Sequence, residues 1–307
     1  MSTPSQPPFG GPPDPAGWPG QSGDPNTAPH CYRHPDRESY VRCQRCNRPI
    51  CPDCQTPAAV GFQCPECVRE GNRSVRTPRT TFGGVIPRGD GAIVTKAIIG
   101  ICVVVFVIQS ATGSDVQLHF DLLGYARIPP RGEVAGVADG EYYRLFTAIF
   151  LHGSITHLAV NMLSLWLLGA PLEQALGRGR LITLFVVGGL GGSALSYLIN
   201  SQYSQSLGAS GAIFALFGAL LPISRKLQYS LAPYFAMLAL NAVIGFIPSS
   251  HIDWKAHLGG LVTGIVLGAA VAYAPRERRD LVQLSAVVGM VIVIAAAVVF
   301  RTHQLVS

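Results

Sequence analysis

The sequence predicts an all-α polytopic membrane protein with a small soluble module at its head. Three observations carry that class. Only 13% of the 307 residues are charged, well below the ~25% usual in soluble domains. The apolar residues, 49% of the chain, are gathered into long runs after residue 90, whereas the first ninety residues are polar and rich in Pro, Gly, Arg and Cys. Seven of the eight cysteines lie between residues 30 and 69. The net charge of +6 therefore reads first as membrane topology, which places basic residues on the cytoplasmic side, and not as nucleic-acid binding.

Residues 1–29 are Pro/Gly/Ser-rich with almost no aliphatic side chains. Such a stretch cannot bury enough surface to offset ordering entropy, so disorder is expected. The first thirty residues hold no apolar core of a signal peptide, and the first span is expected to direct insertion.

Residues 30–70 carry four ligand pairs: Cys31 with His34, Cys43 with Cys46, Cys51 with Cys54, and Cys64 with Cys67. Two intervening residues let both side chains of a pair reach one tetrahedral ion, and eight ligands suit two structural Zn2+ ions. Seven cysteines joined by a well-placed histidine, at an expected cytosolic location, argue against a disulfide framework. Spacing alone allows sequential or interleaved pairing. A module this small needs the metal as a staple and is expected to do no chemistry of its own. His30 reads as a neighbour of the site. Residues 71–90, with Arg73, Arg76, Arg79 and Arg88, read as a basic linker.

Residues 91–307 form the membrane domain. Seven spans are expected, over 92–109, 146–170, 181–199, 207–223, 231–247, 256–274 and 281–300. A crossing helix needs ~20 residues. The fourth and fifth fall short, which suits helices that start inside a water-filled cavity. Placing the basic linker in the cytoplasm also puts Arg178, Arg180, Arg225, Lys226, Arg276, Arg278 and Arg279 inside, as the charge rule requires. The C-terminus is then outside, and Ser210, His257 and His157 share the outer half of the bilayer. Gly188 with Gly192, and Gly260 with Gly264, form small faces for close helix packing. Close approach at Gly260 would bring His257 against the helix of Ser210.

Polar groups inside such spans are expensive and mark function. Ser210 sits between Gly208 and Gly211 at the amino end of an apolar run. Unpaired backbone N–H groups there favour negative charge and would hold an oxyanion formed on its hydroxyl. His157 and Asn161, four apart, share one helix face, with His152 at the entrance. Asn161 could supply a side-chain donor. His257 opens the sixth run and could act as the base. Each residue alone has a plain alternative as a cap or an interhelical hydrogen-bond partner. The chain has no His-Glu-x-x-His motif, no aspartate within the spans and no Gly-x-Ser-x-Gly elbow, so a metalloprotease, an aspartyl dyad and a soluble hydrolase triad are disfavoured. A two-member Ser–His pair remains.

The ordered set Tyr143-Arg144-Leu145-Phe146, Phe150-Leu151-His152, His157-Leu158-x-x-Asn161-Met162, Gly208-Ala209-Ser210-Gly211 and Ala256-His257-Leu258-Gly259-Gly260 resembles the rhomboid intramembrane serine proteases. The resemblance covers about 92–274. It implies a six-helix core over residues 91–275 with one extra C-terminal transmembrane helix. It implies Ser210 as nucleophile, His257 as base, and His157, Asn161 and the Ser210 N–H as the oxyanion site. Arg144 would belong to a loop lying partly in the outer leaflet, and Glu173 would be a structural carboxylate. Tyr143 stands where the family usually has tryptophan. Phe214 stands where it often has a tyrosine stacked on the base, so stacking without the hydroxyl is expected. The head resembles a B-box or RING-like zinc finger. In such folds Cys31, His34, Cys51 and Cys54 would hold one ion, and Cys43, Cys46, Cys64 and Cys67 the other.

The function implied is an intramembrane serine endopeptidase that cleaves transmembrane-helix substrates near the outer membrane face, without a metal in the reaction. The competing class is a catalytically silent relative that binds or escorts membrane proteins; such relatives typically lack the serine or the histidine. A transporter is disfavoured because the spans carry no acidic relay. The expected partners are transmembrane substrates, the bilayer and a protein bound by the zinc module, with no nucleic acid. The expected location is a bacterial plasma (inner) membrane.

Overall fold

The computed structural model describes residues 28–74, 79–85, 89, 91–128, 133–228, 230–232, 234 and 253–307. The chain divides into two compact units between residues 76 and 77. Residues 1–27 of the expected disordered tail, and nearly all of the span expected over 231–247, lie outside the described residues.

The first unit is built on its cysteines. A 3-10 turn, Pro52–Cys54, leads into an antiparallel pair, β1 (Thr56–Pro57) and β2 (Phe62–Gln63), and then α1 (Pro65–Ser74). Its interior consists of Ile50 and six buried cysteines. Ser39 Oγ donates to Ile50 O at 2.5 Å, and Arg37 pairs with Asp53 on the surface. Because α1 runs to Ser74, the open linker expected from residue 71 starts later. It is also partly folded. Residues 79–85 make a tight turn in the second unit, with Thr80 N donating to Gly84 O at 2.7 Å and Gly83 N to Thr80 O at 2.8 Å. Phe82 is buried in the membrane-domain core. Gly84 lies so close to the bundle that a Cβ there would sit 1.9 Å from Leu176 O. One aromatic among glycines supplied the anchor that a purely basic reading overlooked.

The second unit is a multi-pass helical membrane domain. Six of its described helices are long and apolar enough to cross a bilayer: α2 (Ile93–Thr112), α5 (Ile155–Leu176), α6 (Arg178–Ile199), α7 (Ser210–Leu227), α8 (Trp254–Tyr273) and α9 (Arg279–Val306). Between α2 and α5 run α3 (Ser114–Phe120), short strands β3 (Leu122–Leu123), β4 (Ala126–Ile128) and β5 (Glu133–Ala135), and α4 (Arg144–Thr147). A last strand, β6 (Gln205–Ser206), pairs antiparallel with β3 and ties the loop between α2 and α5 to the segment entering α7.

The second expected span began at 146. The chain instead breaks there into α4, a 3-10 turn at Ala148–Phe150 and an extended stretch before α5 starts at Ile155. The cause is local: Ser154 is extended and its side chain accepts from His157 N, a helix N-cap, and capping sets a start that an apolar run does not reveal. The start of α2 is capped from afar. Ala92 offers no side-chain cap. Glu173, fully buried on α5, accepts instead from Val94 N at 3.0 Å and from Thr95 N and Oγ1 at 2.9 Å each.

α6, α7 and α8 pack backbone to backbone. On α8, a Cβ at Gly260, Gly264 or Gly268 would lie 1.9 Å from Gly211 O, 2.0 Å from Ala215 O and 2.5 Å from Ala219 Cα. Three small residues at i, i+4 and i+8 thus lie along one face of α7. α9 is peripheral: only 6% of its most apolar window is buried, so most of its surface is left to lipid.

Candidate functional site

Ser210 is the first residue of α7 and is half-buried. The approach to it is constrained. Gly208 N donates to Ala148 O at 2.9 Å. Gly208 itself has φ +129°, and a Cβ there would sit 2.8 Å from His157 Cε1. Both the dihedral and the contact demand glycine. The tight turn delivers the hydroxyl to the start of a helix whose first N–H groups have no intrahelical acceptor.

His257 lies in the first turn of α8, and its Nε2 is 2.8 Å from Ser210 Oγ. With a neutral imidazole, the serine hydroxyl donates and Nε2 accepts. The Phe214 ring stacks on the imidazole at 4.2 Å between centroids and 8° between planes, which fixes the ring without a hydroxyl. The close approach at Gly260 holds the two helices at the spacing that this contact needs.

From α5, His157 reaches the Gly208 turn, and Asn161 lies one turn further along the same helix. Gly153 N approaches His157 Nδ1 at 3.5 Å; a neutral ring that accepts there carries its proton on Nε2, the nitrogen beside Gly208. Asn161 is buried, and its amide donates to His157 O at 3.0 Å, so it must exchange that partner to serve an oxyanion. His152 is buried in the loop before α5, its Nδ1 3.2 Å from Phe150 O and its ring 5.2 Å from that of His157. Behind the Gly208 turn is a cavity of about 20 Å³, lined in part by Ser193, Ser206, Gly208 and Ala256. That is room for one water or a methyl-sized group.

Arg144 and Glu173 stand away from this centre. Arg144 is fully buried and organises the loop between α2 and α5. Its Nε donates to Glu141 Oε2 at 2.7 Å, and its Nη1 donates to Leu118 O at 2.8 Å and Asp121 Oδ1 at 3.1 Å. Burial pushes the Asp121 carboxyl up to about 7; Arg144 opposes this and Glu141 adds to it. Burial also raises Glu141, but hydrogen bonds from Arg144 and the Gly136 N–H outweigh it and leave that carboxyl below the usual range. Neither acid was singled out in the sequence: Asp121 is twenty-three residues from Arg144, whereas the i,i+3 spacing of Glu141 and Arg144 is a signal that could have found that pair. Asp253 was overlooked too, since it lies just outside the span. It caps α8 by accepting from Lys255 N at 3.1 Å and Ala256 N at 3.2 Å. It also takes Asn200 Nδ2 at 3.0 Å and the Ser196 hydroxyl, both on or next to α6. The carboxylate therefore pins the start of α8 one turn before His257. An aspartate just ahead of an apolar run is the capping signal that could have found it.

In the first unit the donors form two sets, Cys31, His34, Cys51, Cys54 and Cys43, Cys46, Cys64, Cys67, each with its ligand atoms within 4.8 Å of one another. This is the interleaved arrangement. The spacings suit zinc. Zn–S bonds of ~2.3 Å and Zn–N bonds of ~2.0 Å give tetrahedral edges of roughly 3.8 Å between sulfurs and 3.6 Å from sulfur to nitrogen. Cys46 and Cys64 are 3.7 Å apart, and His34 Nδ1 lies 3.8, 3.3 and 3.5 Å from Cys31, Cys51 and Cys54. Burial raises the Cys31 thiol, but backbone N–H groups outweigh it and bring it down to about 6. Cys43 behaves likewise, also at about 6. Arg48, with Nε 3.2 Å from Cys46 Sγ and its guanidinium 4.3 Å over the Tyr32 ring, offsets the charge of the all-cysteine set. A bound Zn2+ would supply cross-linking energy there.

Comparison with known proteins shows what the chain is similar to. The Rhomboid domain family model matches residues 139–274. "RHOMBOID-like protein 5" of Arabidopsis thaliana is 40% identical over 148 residues, 46% of this chain and 47% of the relative. "Rhomboid protease GluP" of Bacillus subtilis (strain 168) is 40% identical over 140 residues, 44% of this chain and 27% of the relative. "Putative rhomboid protease YdcA" of the same organism is 34% identical over 186 residues, 58% of this chain and 92% of the relative. The chain spans about half or less of the length of the plant relatives and of GluP, but nearly all of YdcA.

Proposed function

The chain belongs to the rhomboid family, and from that premise we propose that it is an intramembrane serine endopeptidase working through a Ser210–His257 dyad. The observation that carries the reading is the 2.8 Å contact between Ser210 Oγ and His257 Nε2, within the reach that proton transfer from nucleophile to base requires. Ser210 Oγ attacks a peptide carbonyl carbon and its proton passes to His257 Nε2. The carbonyl oxygen becomes an oxyanion held by the Ser210 N–H, His157 Nε2–H and the Asn161 amide. The C–N bond then breaks, and His257 returns the proton to the leaving amine. Water repeats the sequence on the acyl-enzyme and frees Ser210.

The substrate is a membrane-spanning helix that unwinds locally, because a helical peptide bond is shielded by its own turn. Helix-breaking or small residues near the cleavage point follow from this. The methyl-sized cavity behind Gly208 suits a small side chain beside the scissile bond. The basic residues at the start of α6 and in the turn from α8 to α9 support a cytoplasmic position for that end, with the serine toward the opposite, outer face.

The test is cleavage of a transmembrane reporter by the full chain in proteoliposomes, with wild type beside Ser210→Ala and His257→Ala. Product from wild type alone is expected. Product from Ser210→Ala refutes the assignment of the nucleophile.

A further inference from the structure

At the end of the bundle opposite Ser210, α9 does not close against its neighbours. It leaves a crevice of about 320 Å³ between α6, α8 and α9, within the range of small-molecule sites. Its walls are apolar, with Leu184 from α6, Leu267 and Val271 from α8, and Leu284 and Val287 from α9. Its mouth is basic. Arg180 lines it and donates from Nε to Gln283 Oε1 at 2.9 Å. That bond fixes the amide so that Gln283 Nε2 is left as a donor. Gln283 Nε2 and Arg279 Nε are buried and have no hydrogen-bond partner among the described residues.

More positive charge converges on the same place. Gly83, in the folded turn before α2, lies between guanidinium groups. A Cβ there would sit 2.7 Å from Arg279 Nη1 and 3.4 Å from Arg180 Nη2, and Arg79 Nη1 donates to Gly83 O at 3.0 Å. Among the described residues, two carboxylates face this end: Asp280, exposed and 3.6 Å from Arg180, and buried Glu173, 3.7 Å from Arg178. α6 and α9 both begin here, at Arg178 and Arg279, and neither has a side-chain N-cap. Two positive helix ends therefore add to the arginines.

We propose that this crevice binds an anionic phospholipid, with its phosphate at Arg180, Arg279 and Gln283 and one acyl chain along Leu184, Leu267 and Val287. Buried donors without partners ask for an acceptor. Clustered arginines select a negative one, and basic pockets between transmembrane helices take anionic headgroups. An apolar crevice continuous with that mouth, on a helix left largely to lipid, selects a ligand with a hydrocarbon tail over a free phosphate. The occupant would complete the seat of α9 on the bundle.

The test uses the full chain, purified and stripped of lipid in neutral detergent. Native mass spectrometry titrates phosphatidylglycerol, phosphatidylcholine and inorganic phosphate separately. Phosphatidylglycerol is expected to bind at least tenfold more tightly than phosphatidylcholine, the worth of one charge-assisted contact. Arg180→Gln with Arg279→Gln is expected to abolish that preference, and the paired lysine substitutions to keep part of it. Val287→Trp fills the crevice without touching the arginines and is expected to weaken phosphatidylglycerol binding as well, which decides the matter if the glutamine variant fails to fold. Equal binding of the two lipids overturns the proposal, as does a preference unchanged in both variants. Inorganic phosphate binding as tightly as phosphatidylglycerol would assign the site to a free anion instead.

Discussion

Gly260→Ala is the sharpest perturbation of the proposed dyad that leaves both of its members in place. The added Cβ would lie 1.9 Å from Gly211 O, whereas ordinary contact begins near 3.4 Å. The obstacle is helix backbone on both sides, so α7 and α8 must part by about 1.5 Å at this level. Ser210 adjoins Gly211, and His257 lies three residues before Gly260 on the same helix. A rigid separation carried to the dyad stretches the 2.8 Å contact to as much as about 4.3 Å, beyond hydrogen-bond range. Misplacement of reacting groups by ~1 Å costs about 10²-fold, or ~2.7 kcal/mol in the barrier. Overpacking should also destabilise the fold by ~1–3 kcal/mol. Reporter cleavage and thermal unfolding of Gly260→Ala should be measured together, beside Gly100→Ala and Gly289→Ala, whose Cβ positions meet nothing within 4 Å. The expectation is a loss of kcat near a hundredfold in Gly260→Ala, with enzyme still folded at the assay temperature, and near-normal controls. A Gly260→Ala variant as active as wild type would refute the argument that helix spacing sets the dyad.

Three other outcomes follow from single sites. Glu173→Ala strands the buried Thr95 N–H, the half-buried Val94 N–H and the Thr95 hydroxyl and should cost ~3 kcal/mol, read as a lower melting temperature in detergent; Glu173→Gln, which keeps an acceptor oxygen, should lose less. Asp121 has a folded pKa raised to about 7 from an unfolded value of ~3.9; its contribution to stability is therefore full below about pH 4 and lost as pH rises through 7. Asp121→Asn should flatten the fall in melting temperature between those limits, and a variant curve parallel to wild type would contradict this. Two zinc ions per chain are expected by elemental analysis and one in Cys43→Ser; chelation should unfold the head while reporter cleavage by the membrane domain persists, and loss of all cleavage on chelation would contradict that division.

Much of the architecture was legible because membrane spans announce themselves by length and hydropathy, and ligand pairs by spacing. The small residues at 188, 192, 260 and 264 pointed to close helix contacts, and the structure places all four against α7 or α8. What escaped has a common physical origin. Caps and long-range polar contacts leave no period. Ser154 interrupts an apolar run with one hydrogen bond and moves the start of α5 to Ile155. Glu173 serves a helix nearly eighty residues away. The pairing of Arg144 with Asp121, and the hold of Asp253 on Ser196 and Asn200, belong to loops and helix ends whose pairing only the fold decides. The turn at 79–85 was hidden in the same way, since one buried phenylalanine outweighed the basic composition around it.

Activation of Ser210 by His257 can be read with a serine-reactive fluorophosphonate probe applied to the full chain, with the labelled residue located by peptide mass spectrometry. A covalent adduct on Ser210 is expected in wild type, with labelling lost in His257→Ala and also in Ser210→Ala. Folded wild-type protein that takes no label, or Ser210 labelled equally well without His257, would contradict it.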